Sequence, residues 1–326
     1  MGLTKNKFCF FLHIDGFLFI RWNRKVDESM KAEEVWRILP RRIRGEMNEF
    51  DFEGIQEIRL RCGQPVLLKE ENNRTCRLEG KLSAAEIRET VSLLSGYSLY
   101  AFEEELRQGY LTLEGGHRVG FCGKAVMEDG KIRTLKQINA LNIRIAKEQR
   151  GWGEVFLPYL LEGERFFHTL IISPPGCGKT TLLRDLIRCL SEREWAMGVV
   201  DERGEIAPLQ DGVLQMDVGP CTDVLEGCPK AKGMVMLLRS MSPDIIAVDE
   251  LGRQEDIAAV YEVLHCGVGL MATAHGHSFS DLERRLKPLM QERVFERYIF
   301  LSGRSGTGTL EAIMDKNGGI ISKGAD

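Results

Sequence analysis

The chain has 326 residues, enough for two domains at roughly 100–200 residues each. Hydrophobic residues make up 43% and charged residues 28%, which supplies apolar surface for packed cores and excludes a wholly disordered chain. A net charge of −4 argues against a protein that coats nucleic acid, because phosphate binding wants a basic excess, and no nucleic-acid partner is expected.

The first apolar run, Phe8 to Ile20, spans 13 residues and is interrupted by His13 and Asp15. That is short of the roughly 20 residues a membrane-crossing helix needs. Lys5 and Lys7 resemble the start of a signal peptide, but no small-residue cleavage site follows. Three readings compete for residues 1–29: a misassigned start with translation beginning at Met30, a weak membrane-surface anchor, or an additional structural element. The start at Met30 is preferred, since the domain-like pattern opens there.

Residues 30–148 read as a smaller α+β amino-terminal domain. Met30–Leu39 is amphipathic and is closed by Pro40. Ile55–Arg61 reads as a strand, Gly63-Gln64-Pro65 as a turn, and Val66–Leu68 as the next strand. Ser83-Ala84-Ala85-Glu86 has the form of a capping box opening a helix to about Leu94. Gly115-Gly116 marks a hairpin between Tyr110–Leu113 and Arg118–Val126, and Ala140–Ile145 reads as a last strand. Gly151-Trp152-Gly153 then marks a boundary, with a short helix near Leu157–Leu161.

Residues 149–326 alternate differently. Near-continuous apolar strands are expected at His168–Ile172, Met197–Val200, Ile245–Val248, Leu270–Ala274 and Tyr298–Leu301, with helices after the first, third and fourth. This pattern implies an α/β unit whose parallel sheet is covered by helices on both faces. Gly303–Gly308 reads as a loop. The nine cysteines form no CxxC pair and show no zinc-ligand spacing, so they read as reduced thiols of a cytoplasmic protein.

Between the first strand and its helix lies Ser173-Pro174-Pro175-Gly176-Cys177-Gly178-Lys179-Thr180-Thr181, a phosphate-binding P-loop (Walker A) in its strand–loop–helix context. Gly176 and Gly178 let main-chain N–H groups curl around a phosphate, and the helix opening near Lys179 adds its positive end. Lys179 is expected on the β- and γ-phosphates, Thr180 on Mg²⁺ and Thr181 near the α-phosphate. Ser173 stands where the motif has its first glycine; the position ends a strand, where another small residue fits. The complementary acids follow Ile245–Val248: Asp249 for Mg²⁺ and Glu250 to orient and deprotonate the attacking water. Glu202 and His275 follow two further strands and are expected on the γ-phosphate side together with Asp201, with a surface salt bridge as the alternative for Glu202 and His275.

With these residues in hand, Leu237–Asp244 followed by Asp249-Glu250-Leu251-Gly252-Arg253 resembles the Walker B region of the type II and type IV secretion ATPases. Asp201-Glu202-Arg203 looks like their aspartate box and Ala272-Thr273-Ala274-His275 like their histidine box. One departure is Asp249, where those motors usually carry glycine. Ile38–Arg44, Glu57–Arg61, Pro174-Pro175, Thr180–Asp185 and Val200–Arg203 are similar in more detail to the stage III sporulation AA family of endospore-forming bacteria, over roughly residues 33–322. The resemblance implies a RecA-like, AAA+-type Mg²⁺–ATPase in the mother-cell cytoplasm. It also implies a homohexamer that meets the membrane through membrane proteins of a secretion-like sporulation complex. It further implies an arginine acting on the γ-phosphate from the far side of the nucleotide. Arg118 and Arg144 are the candidates, with strand-face salt bridges as the alternative. A RecA-like nucleic-acid-handling ATPase is the competing reading.

Overall fold

The computed structural model describes residues 10–14, 17–21, 33–47, 52–70, 74–95 and 103–324. It divides into two compact units, Met1–Lys147 and Glu148–Asp326.

In the first unit, Phe10–Ile14 pairs antiparallel with Phe17–Arg21, so much of the early apolar run is in paired strands. Of residues 1–29, for which three readings compete, 1–9, 15–16 and 22–29 lie outside the described ones. A six-stranded antiparallel sheet follows, in the spatial order Thr75–Arg77, Leu67–Glu70, Ile55–Arg61, Lys131–Arg144, Arg118–Glu128, Tyr110–Thr112. Its buried face, including Ile58, Leu60, Val119 and Ile143, packs with Ile87 and Val91 of the helix Ala84–Leu94. That helix is capped as its sequence predicts: Ser83 Oγ accepts from the Glu86 amide, and the Glu86 carboxylate accepts from the Ser83 amide at 2.8 Å. The expected strand at Ala140–Ile145 is the end of a longer one, the 14-residue Lys131–Arg144. The cause is Asp129-Gly130, whose φ angles of 49° and 75° make a tight reversal favoured between strands. Two short elements, Thr75–Arg77 and the helix Glu103–Gln108, carry too few residues to show a period in sequence.

The second unit carries an eight-stranded sheet. Its strands are numbered here β1 (Thr169–Ser173), β2 (Met197–Asp201), β3 (Thr222–Glu226), β4 (Ile245–Val248), β5 (Gly269–His275), β6 (Arg297–Ser302), β7 (Thr309–Asp315) and β8 (Ile320–Lys323). The spatial order is β3-β2-β4-β5-β1-β6-β7-β8, parallel from β3 through β6 and antiparallel from there. Helix α1 (Lys179–Ser191) buries Leu182, Leu183, Leu186 and Leu190 against Ile171, Val199, Ala247 and Met271 on one face. On the other face α2 (Lys230–Ser240), α3 (Gln254–His265) and α4 (Phe279–Arg285) cover Ile172, Val200, Ile246 and Ala272. Both sheet faces are therefore dry, which explains why β1, β2 and β4 are buried at every residue.

Helix α2, edge strand β3 and the antiparallel strands β7 and β8 are additions to the sequence-based pattern. Gly233 obscures the helix, because glycine weakens a helical signal. The fold requires it: a Cβ there would lie 2.4 Å from a Val200 methyl, so α2 lies on β2 closely enough to exclude any side chain.

Candidate active site

Four strands that are neighbours in the sheet, β2-β4-β5-β1, end at the same edge. Ligands in such sheets bind beyond the carboxyl ends of the strands. Those ends deliver Asp201-Glu202, Asp249-Glu250, His275 and the P-loop.

Ser173 closes β1 fully buried, and its hydroxyl donates to the Pro174 carbonyl at 2.7 Å, so the small side chain fits as expected. Pro175 and Gly176 are exposed at the crest of the loop. Gly176 and Gly178 have φ of 74° and 87°, the left-handed region where side chains are strained. A Cβ on Gly178 would also lie 3.3 Å from the Trp152 ring. Cys177 Sγ donates to the Pro175 carbonyl at 3.8 Å. As the N-cap of α1, Gly178 supplies no side-chain acceptor to the first helical amides, the arrangement by which helix N-termini receive anions. Lys179 is buried, with Nζ 3.6 Å from Glu250 Oε1. Thr180 Oγ1 donates to Asp249 Oδ2 at 2.8 Å, while Thr181 is half-buried one residue on.

Around Glu250 the charges are dense. His275 Nε2 is 2.7 Å from Oε1, and an Arg203 guanidinium nitrogen is 3.3 Å from Oε2. Burial pushes the Glu250 carboxyl up, but the charges of His275, Lys179 and Arg203 outweigh it and hold the group below the ordinary carboxylate range. It is therefore ionised at neutral pH. The main chain at Glu250 has φ of 55°, unusual for a residue with a side chain and costing on the order of 1 kcal/mol or more.

Glu202 sits in a separate set of ion pairs, with Lys230 at the start of α2 and with Arg253 at 3.3 Å. Burial raises its carboxyl, and the Lys230 bond and charge, with Arg253 and Arg203, bring it below the usual range. Asp201 corrects the expectation that it faces a γ-phosphate. It is buried, and its two oxygens accept the amides of Glu205, Ile206 and Ala207, each at 2.8 Å. Bonds to a charged acceptor contribute about 1.5–3 kcal/mol each. The Asp201→Ala variant is expected to lose roughly 3 kcal/mol of unfolding free energy for that reason. Denaturant unfolding measures it, and an unchanged midpoint would mean that the three amides find other partners.

Arg118 and Arg144 lie in the amino-terminal unit as directly opposed residues of paired strands. The Arg118 guanidinium stacks 3.6 Å from the centre of the Tyr110 ring. Sequence reasoning did not single out Thr273, Lys230, Arg203 or Arg253 as individual site residues. Their contacts depend on the strand order, which no local motif encodes.

Known proteins provide the wider frame. A family model described as "Sporulation stage III, protein AA" matches residues 29–321. The chain is 43% identical over 300 residues to stage III sporulation protein AA of Bacillus subtilis (strain 168), covering 89% of this chain and 97% of that one. Among solved structures, it is similar to the pilus retraction motor PilT with bound ADP, at TM-score 0.54 and 14% identity over 82% of this chain and 77% of that one. It is also similar to the ATPase DotB of Yersinia pseudotuberculosis, at TM-score 0.52 and 16% identity, covering 80% and 75% respectively. The fold of the chain is that of the RecA-like secretion ATPases. By the extent of the family match and the identity to its Bacillus subtilis relative, the chain belongs to the sporulation stage III protein AA family.

Proposed function

We propose that the chain binds and hydrolyses ATP with Mg²⁺ and works as a motor for a secretion-like assembly in sporulation. The observation that carries the reading is the meeting of P-loop and acids: Thr180 on Asp249 at 2.8 Å and Lys179 beside Glu250 at 3.6 Å. In this reading the α1 amides and Lys179 take the phosphates, and Lys179 neutralises charge on the γ-phosphoryl group. Thr180 and Asp249 suit Mg²⁺, an oxygen-seeking ion commonly held by one or two protein groups, with phosphate and water completing its shell. When bound, the ion would screen the phosphate charge. Glu250, ionised and fixed by His275 and Arg203, orients a water and takes its proton. Glu202, already engaged by Lys230 and Arg253, holds the β2 loop beside the site.

The resemblance to secretion motors favours a homohexameric ring in the cytoplasm that reaches membrane proteins through contacts on its surface. Among the described residues no helix is long and apolar enough to cross a membrane. Arg118 and Arg144 are the proposed sources of an arginine that acts on the γ-phosphate of a neighbouring copy.

The test is ATP turnover measured against protein concentration, with molar mass followed in parallel. Specific activity is expected to rise and then saturate as the oligomer completes, and single-stranded nucleic acid is expected to leave the rate unchanged. Full turnover by a monomer at every concentration would remove the ring from the reading.

A further inference from the structure

We propose that Thr273 is the positioning residue that sets both acids of the site, a proposal that rests on reading the site as one for nucleoside triphosphate hydrolysis. The need arises from strand geometry. Consecutive side chains along an extended chain point to opposite faces, so Asp249 and Glu250 cannot both face the P-loop from regular backbone. The chain solves this by leaving the strand after Val248 and turning at Glu250, whose φ is 55°. The turn brings Glu250 to Lys179 while Asp249 stays on Thr180.

A side chain seldom rests in that backbone region unless its surroundings enforce it. Here Thr273, on the adjacent strand β5, supplies the enforcement through three bonds. Its Oγ1 donates to Asp249 Oδ1. The same oxygen accepts the Glu250 amide at 2.9 Å, and the Thr273 carbonyl accepts the Leu251 amide at 2.9 Å. A hydroxyl is suited to this post because one atom both donates to a carboxylate and accepts from an amide. The residue is fully buried, and its β-branch limits rotation of the hydroxyl away from the two partners. Asp249 is thus gripped by two hydroxyls, Thr180 on α1 and Thr273 on β5. Glu250 is set through its main chain, and its carboxylate stays available to His275, Arg203 and Lys179.

The experiment compares Thr273→Ser with Thr273→Ala, which both lack the γ-methyl and differ only in the hydroxyl. Amide exchange at Glu250 and Leu251, affinity for a fluorescent ATP analogue, and kcat are measured for each. Glu250 amide exchange is expected to quicken in the Ala variant and to stay near wild type in the Ser variant. Affinity should change little in either, while kcat falls about 100-fold for Ala, the usual scale for losing a placed general base, and less than tenfold for Ser. Thr273→Val keeps the volume and replaces the Ala variant if that one does not fold. Equal Glu250 exchange in the Ser and Ala variants overturns the clamp, whatever the turnover. Equal kcat in the two variants overturns its role in placing the acids. A wild-type protein that binds the analogue without turning ATP over overturns the hydrolysis reading, while a difference in exchange still upholds the clamp.

Discussion

The Lys179→Ala variant is expected to remain folded and to lose ATP turnover altogether, with nucleotide affinity falling roughly 100-fold, the loss of one or two charge-assisted hydrogen bonds. Lys179 is the first residue of α1 and is buried, and its ammonium sits 3.6 Å from Glu250. Truncation therefore removes a charge from the proposed phosphate cradle, while Lys179 belongs to neither of the apolar clusters on the two faces of the sheet. Alanine is also a strong helix former, so the first turn of α1 should persist. Equilibrium binding of a fluorescent ATP analogue and a phosphate-release assay measure the two effects, and thermal unfolding controls for the fold. Wild-type turnover in the folded variant would place the nucleotide elsewhere. A large drop in thermal stability would mean instead that the Lys179–Glu250 pair is chiefly structural.

What could be read from sequence follows from the range over which each feature is encoded. The P-loop is local: two glycines needed at positive φ, a lysine and two threonines in one run between a strand and a helix. Asp249 and Glu250 are equally local, because four apolar residues before them form a buried strand. The five expected strands of the second unit all occur, within a residue or so at their ends. Strand β3 escaped because its residues are half-buried or exposed and show no clean alternation. The roles of Thr273 and Lys230 escaped for a different reason. Each acts across neighbouring elements, Thr273 on the end of β4 and Lys230 on the end of β2, and the pairings exist only once β2, β4 and β5 lie side by side. Asp201 shows the same limit from the other side. Its position after a strand suggested a phosphate-facing acid, and only the folded loop shows three amides turned inward onto it.

Glu250→Gln should separate binding from chemistry. The amide keeps the shape of the carboxyl and can still hydrogen-bond a water, but it has no carboxylate to receive the proton at neutral pH. Loss of the proposed general base should lower kcat by roughly 10²–10⁴-fold while ATP–Mg²⁺ affinity is retained, because the α1 amides, Lys179, Thr180 and Asp249 are untouched. The variant is then expected to accumulate with ATP bound, seen as nucleotide that stays with the protein through gel filtration and remains triphosphate. Glu202 is a poor substitute, since Lys230 and Arg253 already engage both of its oxygens. The pH dependence carries a second signature. The carboxyl of Glu250 titrates below the ordinary range of about 4.3, so the wild-type base stays ionised down to that pH and any acid loss of rate near pH 6 has another source. The same lowered pKa makes the ionised group stabilising: its contribution is complete above the unfolded-state value and disappears as pH falls through the folded-state one. Gln at this position removes that contribution, so the stability difference between wild type and variant should shrink on acidification. A fully active Glu250→Gln protein would assign the proton to another acceptor and leave Glu250 as an anchor for Lys179, Arg203 and His275.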